Sequence, residues 1–317
     1  MDKTSSKLVH YFIKFIGVSL LIIGVTAACV APAESYCYYL FSEGGRFHYE
    51  GFGFGSFMFA NITMQIWAYY IIALVCIPLG IGHLKKQVWI RKISLAFIWV
   101  WFIVGIPILP IILSIFITSK EPSFFLVIFS GLIALLSYTL FPSLLIKFYK
   151  SKKIEFALLN MNSKRNNFIN NYPVPIIMMI ILYFFYIFAF HCFLLLRGIF
   201  PFGWKFIVDF NGIVLNSISI LFLVLIIIGT LKRKLWSWWA SFIYFTIVTA
   251  SSLVTLLLSD FLEIVNLLKL PPTETDLLIN MPLKGAHLTV IFGIPLIITL
   301  GVIIFSRKHF IVLTETV

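Results

Sequence analysis

Residues 81–98 read IGHLKKQVWIRKISLAFI, and residues 228–245 read IGTLKRKLWSWWASFIYF. Each run passes from an apolar stretch through a glycine and a basic pair to a tryptophan, then becomes apolar again. Such a passage marks the end of one membrane helix and the start of the next. Lysine and arginine hold the interface on the side that retains positive charge, and a tryptophan ring seats itself at headgroup depth. Aligned without gaps, the runs match at Ile81/Ile228, Gly82/Gly229, Leu84/Leu231, Lys85/Lys232, Trp89/Trp236 and Ser94/Ser241, with Lys86 opposite Arg233. Gly82, Lys85 and Trp89, with Gly229, Lys232 and Trp236, are therefore read as topology anchors.

Working outward, the chain offers eight stretches near the roughly 20 apolar residues that a spanning helix needs. They lie near 9–31, 56–82, 90–117, 123–147, 174–197, 210–230, 237–259 and 286–306. The third contains Pro107 and Pro110, which predicts a kink or tilt there. With 61% hydrophobic and only 11% charged residues, the chain has too little polar surface to face water. Lipid is the solvent this composition requires.

Loop charge tests the count. With the N-terminus inside, eighteen Lys and Arg fall on the inner side and six on the outer. Removing one helix inverts every later loop and destroys this asymmetry, so an even number with both termini cytoplasmic is expected. The same asymmetry accounts for the net charge of +12, and nucleic acid is not an expected partner. The location expected is the plasma, or inner, membrane.

The two anchor runs each sit between the second and third helix of their own half. Phe54-Gly55 echoes Phe202-Gly203, Asn61 then falls opposite Asp209, and Lys147 echoes Arg307. The fold class expected is all-α: a polytopic transmembrane helical bundle of about eight helices in two parallel four-helix repeats. Units with an even number of helices insert the same way up, so the halves are expected to be related by an axis along the membrane normal. The first unit covers 1–150, a basic cytoplasmic linker 151–173, and the second unit 174–317. A short interfacial helix is expected around Ile154 to Met161. The first helix also resembles a secretory signal, ending in Thr26-Ala27-Ala28-Cys29; the repeat favours its retention.

Six residues stand out as speculative binding groups: Asn61, Asp209, Asn211, Asn216, Thr249 and His191. Asp209 with Asn211 is expected to open the sixth helix, and Asn61 the second, where capping and the helix dipole favour such residues. As a pair at an outward vestibule, with Asp260 and Glu263 nearby, Asn61 and Asp209 would suit a cationic or amine-bearing guest. Helix seven carries Thr246, Thr249, Ser251, Ser252, Thr255 and Ser259, which ordinarily bond within or between helices. His191 is expected to hydrogen-bond to a neighbouring helix, with haem or metal ligation as the sharper alternative. Of the four cysteines, Cys29 and Cys37 share the outer side, which allows a disulfide, though inert separate thiols are the simpler reading. The Gly-Phe run 51–55 is expected to be a flexible loop dipping its rings into the interface. The terminal Thr314-Glu315-Thr316-Val317 only loosely resembles a C-terminal peptide ligand.

The sequence contains no HExxH, GxSxG, P-loop or GxGxxG pattern, and nearly every charge sits at a helix end. No enzymatic activity, metal or cofactor is expected. Two readings follow: a structural or accessory subunit of a membrane complex, bound to the lipid bilayer and to other membrane subunits; or a transporter or channel for a neutral or cationic small solute.

Overall fold

The computed structural model describes residues 3–107, 109, 124–159, 168–279 and 285–311. The helices are α1 (Lys3–Phe41), α2 (Phe57–Leu84), α3 (Trp89–Gly105), α4 (Phe124–Leu135), α5 (Phe141–Lys150) and α6 (Lys152–Leu159), followed by α7 (Val174–Leu195). A hairpin of β1 (Phe200–Phe202) and β2 (Lys205–Ile207) then leads into α8 (Asp209–Leu231), α9 (Leu235–Leu258), α10 (Phe261–Leu268), α11 (Pro272–Ile279), α12 (Gly285–Ser306) and α13 (Lys308–Ile311). A π-helical turn, Leu136–Leu140, joins α4 to α5.

Seven of the described helical stretches are long and apolar enough to cross a membrane, which makes the chain a helical membrane protein. The remaining expected span, 90–117, is helical over Trp89–Gly105 and turns at Ile106 and Pro107; most of its later half lies outside the described residues. A proline disfavours helix in the residue before it, and α3 stops ahead of Pro107; the kink or tilt expected at Pro107 and Pro110 falls largely outside the described residues. The first span differs most from expectation. It continues through Pro32 to Phe41, giving a helix of 39 residues. Because Cys29 and Cys37 both lie on it, eight residues and about 12 Å apart along the axis, they cannot bridge, and all four cysteines are free.

Two compact units are present: residues 1–95 with 145–174, and 96–144 with 175–317. In the first, α1 packs against α2, and His83 is fully buried near the end of α2. Its Nδ1–H donates to the Leu79 carbonyl at 2.7 Å, leaving Nε2 to accept from the Tyr149 hydroxyl at 2.5 Å. A helix is present where one was expected around Ile154 to Met161: α6, over Lys152–Leu159, with residues 160 and 161 outside the described residues. Its Ile154 and Leu158 pack on Val9, Ile13 and Ile90, and Glu155 pairs with Arg91 at 3.0 Å. In the same unit, Phe52 folds back onto Tyr38 and Phe59, with ring centroids 5.3 and 5.5 Å away. Within the Gly-Phe run, Phe52 is thus packed on other rings while Phe54 is exposed.

In the second unit, α7, α9 and α12 are joined by polar groups. The Tyr183 hydroxyl donates to Ser241 at 2.8 Å, Tyr186 bonds Thr299 at 2.9 Å, and the Trp238 indole N–H donates to the Ile303 carbonyl at 2.7 Å. Phe245 stacks against Tyr183 and meets Tyr186 edge-on. Hydroxyls that sequence leaves ambiguous are here the bonds between helices.

The two anchor runs form the same kind of turn. After α2, the N–H groups of Lys85, Lys86 and Gln87 donate to the carbonyls of Ile81, His83 and Gly82; after α8, Lys232, Arg233 and Lys234 donate to Ile228, Thr230 and Gly229. Lys86 and Arg233 each occupy the left-handed region at φ 50°. This is a helix-ending turn that most often uses glycine at that position. Gly82 and Gly229 each face a tryptophan: an added Cβ would lie 2.9 Å from Cζ2 of Trp89 and 2.6 Å from Cζ2 of Trp236. The glycine is therefore the seat of the ring that the sequence places seven residues later.

Candidate functional site

The second unit holds a groove of about 540 Å³ lined by Val208, Asp209, Asp260, Glu263, Asn266, Leu267 and Lys269. It gathers the three carboxylates that the sequence reading placed together, Asp209, Asp260 and Glu263. Asp209 does open a helix, α8, but not as its cap. It is the first residue, its backbone lies at φ 60°, and Val208 precedes it without a side-chain capping bond. Its carboxylate instead holds Arg197. Oδ1 of Asp209 accepts from Nε at 2.9 Å and from a terminal guanidinium nitrogen at 2.5 Å, while the Asp209 N–H donates to the Arg197 carbonyl at 2.7 Å. Arg197 is also left-handed, at φ 58°. The two residues clasp each other through backbone and side chain.

Asp260 caps α10, accepting from the Phe261 N–H at 2.7 Å. The helix is amphipathic: Phe261, Ile264, Val265 and Leu268 are buried, which leaves Glu263, Asn266 and Leu267 for the groove. Ile264 and Leu268 pack with Ile199 and Leu270, supported by Phe193, Leu196, Phe206 and Val208. Lys269 ends α10 at φ 48° and adds one cation to the rim. The segment after α9 is thus built from α10 and α11.

Asn216 has a different task. It is fully buried, and its amide nitrogen faces the carbonyls of Gly198, Ile199 and Gly212 at 3.0, 3.3 and 2.8 Å. It ties the turn after α7 to α8. Gly198 and Gly212 make that approach possible, since a Cβ on Gly212 would meet the Gly198 carbonyl oxygen at 2.0 Å. The Asn216 Oδ1 and the buried Thr249 hydroxyl have no hydrogen-bond partner among the described residues. Asn211 is exposed on α8.

Asn61 does not open α2. Ser56 caps that helix, accepting from the Phe59 N–H, and Asn61 sits in the second turn, where its Oδ1 accepts from Gln65 at 3.3 Å. Asn61 belongs to the first unit and the other five singled-out residues to the second. His191 accepts its place in α7 through a bond from Nδ1–H to the Ile187 carbonyl at 2.7 Å, within its own helix. No group of three or more His, Cys, Asp or Glu that could hold a metal occurs among the described residues.

Sequence reasoning missed the hairpin beside the groove. Ser251 of α9 donates to the Pro201 carbonyl at 3.0 Å and accepts from the Gly203 N–H at 2.8 Å, so one hydroxyl satisfies both sides of its turn. The signal was Gly203 between two short apolar runs.

The helices, anchors and groove define a polytopic helical membrane protein. Comparison with protein families, curated proteins and solved structures finds no match for this chain.

Proposed function

We propose that the protein is a non-catalytic structural or accessory subunit of a plasma-membrane complex. The observation that carries this reading is the interior of the second unit. Tyr183, Tyr186 and Trp238 spend their polar atoms on neighbouring helices, as rigid bundles do. Such a body presents its apolar exterior to lipid and to other membrane subunits. The repeat belongs to the same proposal. The equivalent turns at Lys86 and Arg233, each with a tryptophan over a glycine, support two four-helix units inserted in parallel, with both termini cytoplasmic. Purification in mild detergent, with bound chains identified by mass, tests the role. A stoichiometric membrane partner is the expected result; a chain that stays alone, both in detergent and after cross-linking in its native membrane, would sink it.

A second reading, transport of a neutral or cationic small solute, is favoured by the acidic groove and by the unpartnered Thr249 hydroxyl. Under it, Asp209→Asn lowers uptake of an amine-bearing solute into proteoliposomes without changing expression. Equal uptake by the variant and the parent removes this reading.

A further inference from the structure

The connection between α7 and α8 does not sit on top of the helices it joins. Three helices each meet it below their own ends. Phe200 of β1 stacks on Phe190, five residues before α7 ends at Leu195, with ring centroids 6.1 Å apart. Gly198 and Ile199 turn their carbonyls to Asn216, seven residues after α8 starts at Asp209. The turn at Gly203 is held by Ser251, seven residues before α9 ends at Leu258. Seven residues of helix are about 10 Å. On the way back the chain passes Gly212 again, where an added Cβ would lie 2.8 Å from the Ile207 carbonyl oxygen. The hairpin therefore descends along α8 and α9, turns at Gly203 and climbs back to Asp209.

The length of α9 decides what surrounds the turn. Its 24 residues are about 36 Å long, and the hydrocarbon of a bilayer is about 30 Å thick. A helix that crosses it has about 6 Å to spare, less than the distance from Ser251 to the end of α9. Wherever that surplus lies, the turn at Gly203 is below the headgroups. The surface of α9 agrees, since Val254, Leu257 and Leu258, all nearer the end than Ser251, are exposed. Backbone at such depth has no water to bond and needs partners within the protein. The hairpin has them: β1 pairs with β2, Ser251 serves both Pro201 and Gly203, and Asn216 serves Gly198 and Ile199. At the tip, Phe202 is 52% and Trp204 72% exposed, so both rings face away from the protein. We propose that the hairpin is re-entrant: it dips into the leaflet at this end of α7, α8 and α9, and its tip rings, Phe202 and Trp204, are bound by the acyl chains of phospholipids. Lys205, exposed on the returning strand, reaches the headgroups along its methylene stem. The surface rests on these helices crossing a bilayer and is independent of the accessory-subunit reading.

The test reads Trp204 in the full chain, reconstituted into phosphatidylcholine vesicles. Trp204→Phe changes an exposed ring and keeps the bonds at Ser251 and Asn216. The difference in emission between parent and variant isolates one of the eight tryptophans. That emission should be quenched by phosphatidylcholine brominated in the upper part of its acyl chains. Acrylamide in the water should quench it several-fold less than it quenches free tryptophan. Strong quenching by acrylamide puts the tip in water and overturns the proposal. Shielding from both quenchers shows a second copy or another protein over the tip, and overturns the assignment to lipid. Where Trp204→Phe fails to fold, a nitroxide at Phe202→Cys, with the four native cysteines replaced by alanine, gives the same reading. Its collisions with oxygen, which concentrates among acyl chains, should exceed those with a water-soluble nickel chelate; the reverse order overturns the re-entrant hairpin.

Discussion

His83 shows how a residue near the end of an apolar helix becomes structural. With no exposure and both ring nitrogens engaged, it links α2 to Tyr149 of α5. His83→Phe leaves the Tyr149 hydroxyl buried without its partner. A loss of about 1–3 kcal/mol is expected, read as a lower midpoint of thermal unfolding in detergent. The double variant with Tyr149→Phe should lose less than the sum of the singles, because the two groups form one interaction; strict additivity would contradict the bond. Gly82→Ala and Gly229→Ala should each cost about 1–3 kcal/mol by forcing a Cβ into a tryptophan ring. Similar losses in both halves are the expected outcome of the same measurement, whereas a neutral Gly229→Ala would show that the ring moves aside freely. At His309, burial comes first and the charges of Lys308 and Arg233 follow in lowering proton affinity. The sign follows: the folded state favours the neutral ring. Its contribution to stability is complete above the ordinary histidine range near 6.5 and is lost as pH falls through the lowered folded value. An NMR titration of the His309 ring should therefore give a midpoint below the free-histidine value, moving upward in Arg233→Gln.

At the scale of elements, the hairpin between α7 and α8 depends on few contacts. Gly203 takes the first turn position at φ 70°, with Phe202 opposite Lys205, and the Ser251 hydroxyl closes the turn against α9. Ser251→Ala should leave the helices folded while raising amide exchange across 200–207; unchanged exchange there would show that the strands hold without the serine. Most helices were legible from apolar length and charge because lipid enforces both. The expected span 174–197 is observed as Val174–Leu195, and 286–306 as Gly285–Ser306. The later part of α1 was not legible. Pro32, Glu34 and Ser35 read as loop, yet helix continues through them to Phe41. The acidic groove was legible in part. Three carboxylates near helix ends can be read locally, but the Arg197–Asp209 clasp and the three carbonyls at Asn216 depend on chain segments brought together by folding. The Lys269 rim position likewise follows from the left-handed end of α10.

For the whole molecule, the decisive property is which loops stay on the inner side. Reporter fusions after Lys86 and after Lys234 should both report the cytoplasm, and fusions at Gly53 and Gly203 the opposite side. A cytoplasmic signal at Gly203 would break the even count and, with it, the parallel repeat. The same fusions test the expected span over 90–117, because without it every later site changes side. Insertion itself gives the short turns between α2 and α3 and between α8 and α9 a further consequence. Only residues 85–88 separate the first pair and 232–234 the second, and each turn carries two or three cations. Each cation carried to the centre of the bilayer costs about 2.5–3.5 kcal/mol on biological insertion scales. On the proposed orientation, this cost predicts that neither helix of a pair is released to the far side once its partner has entered, so that each pair inserts as a unit.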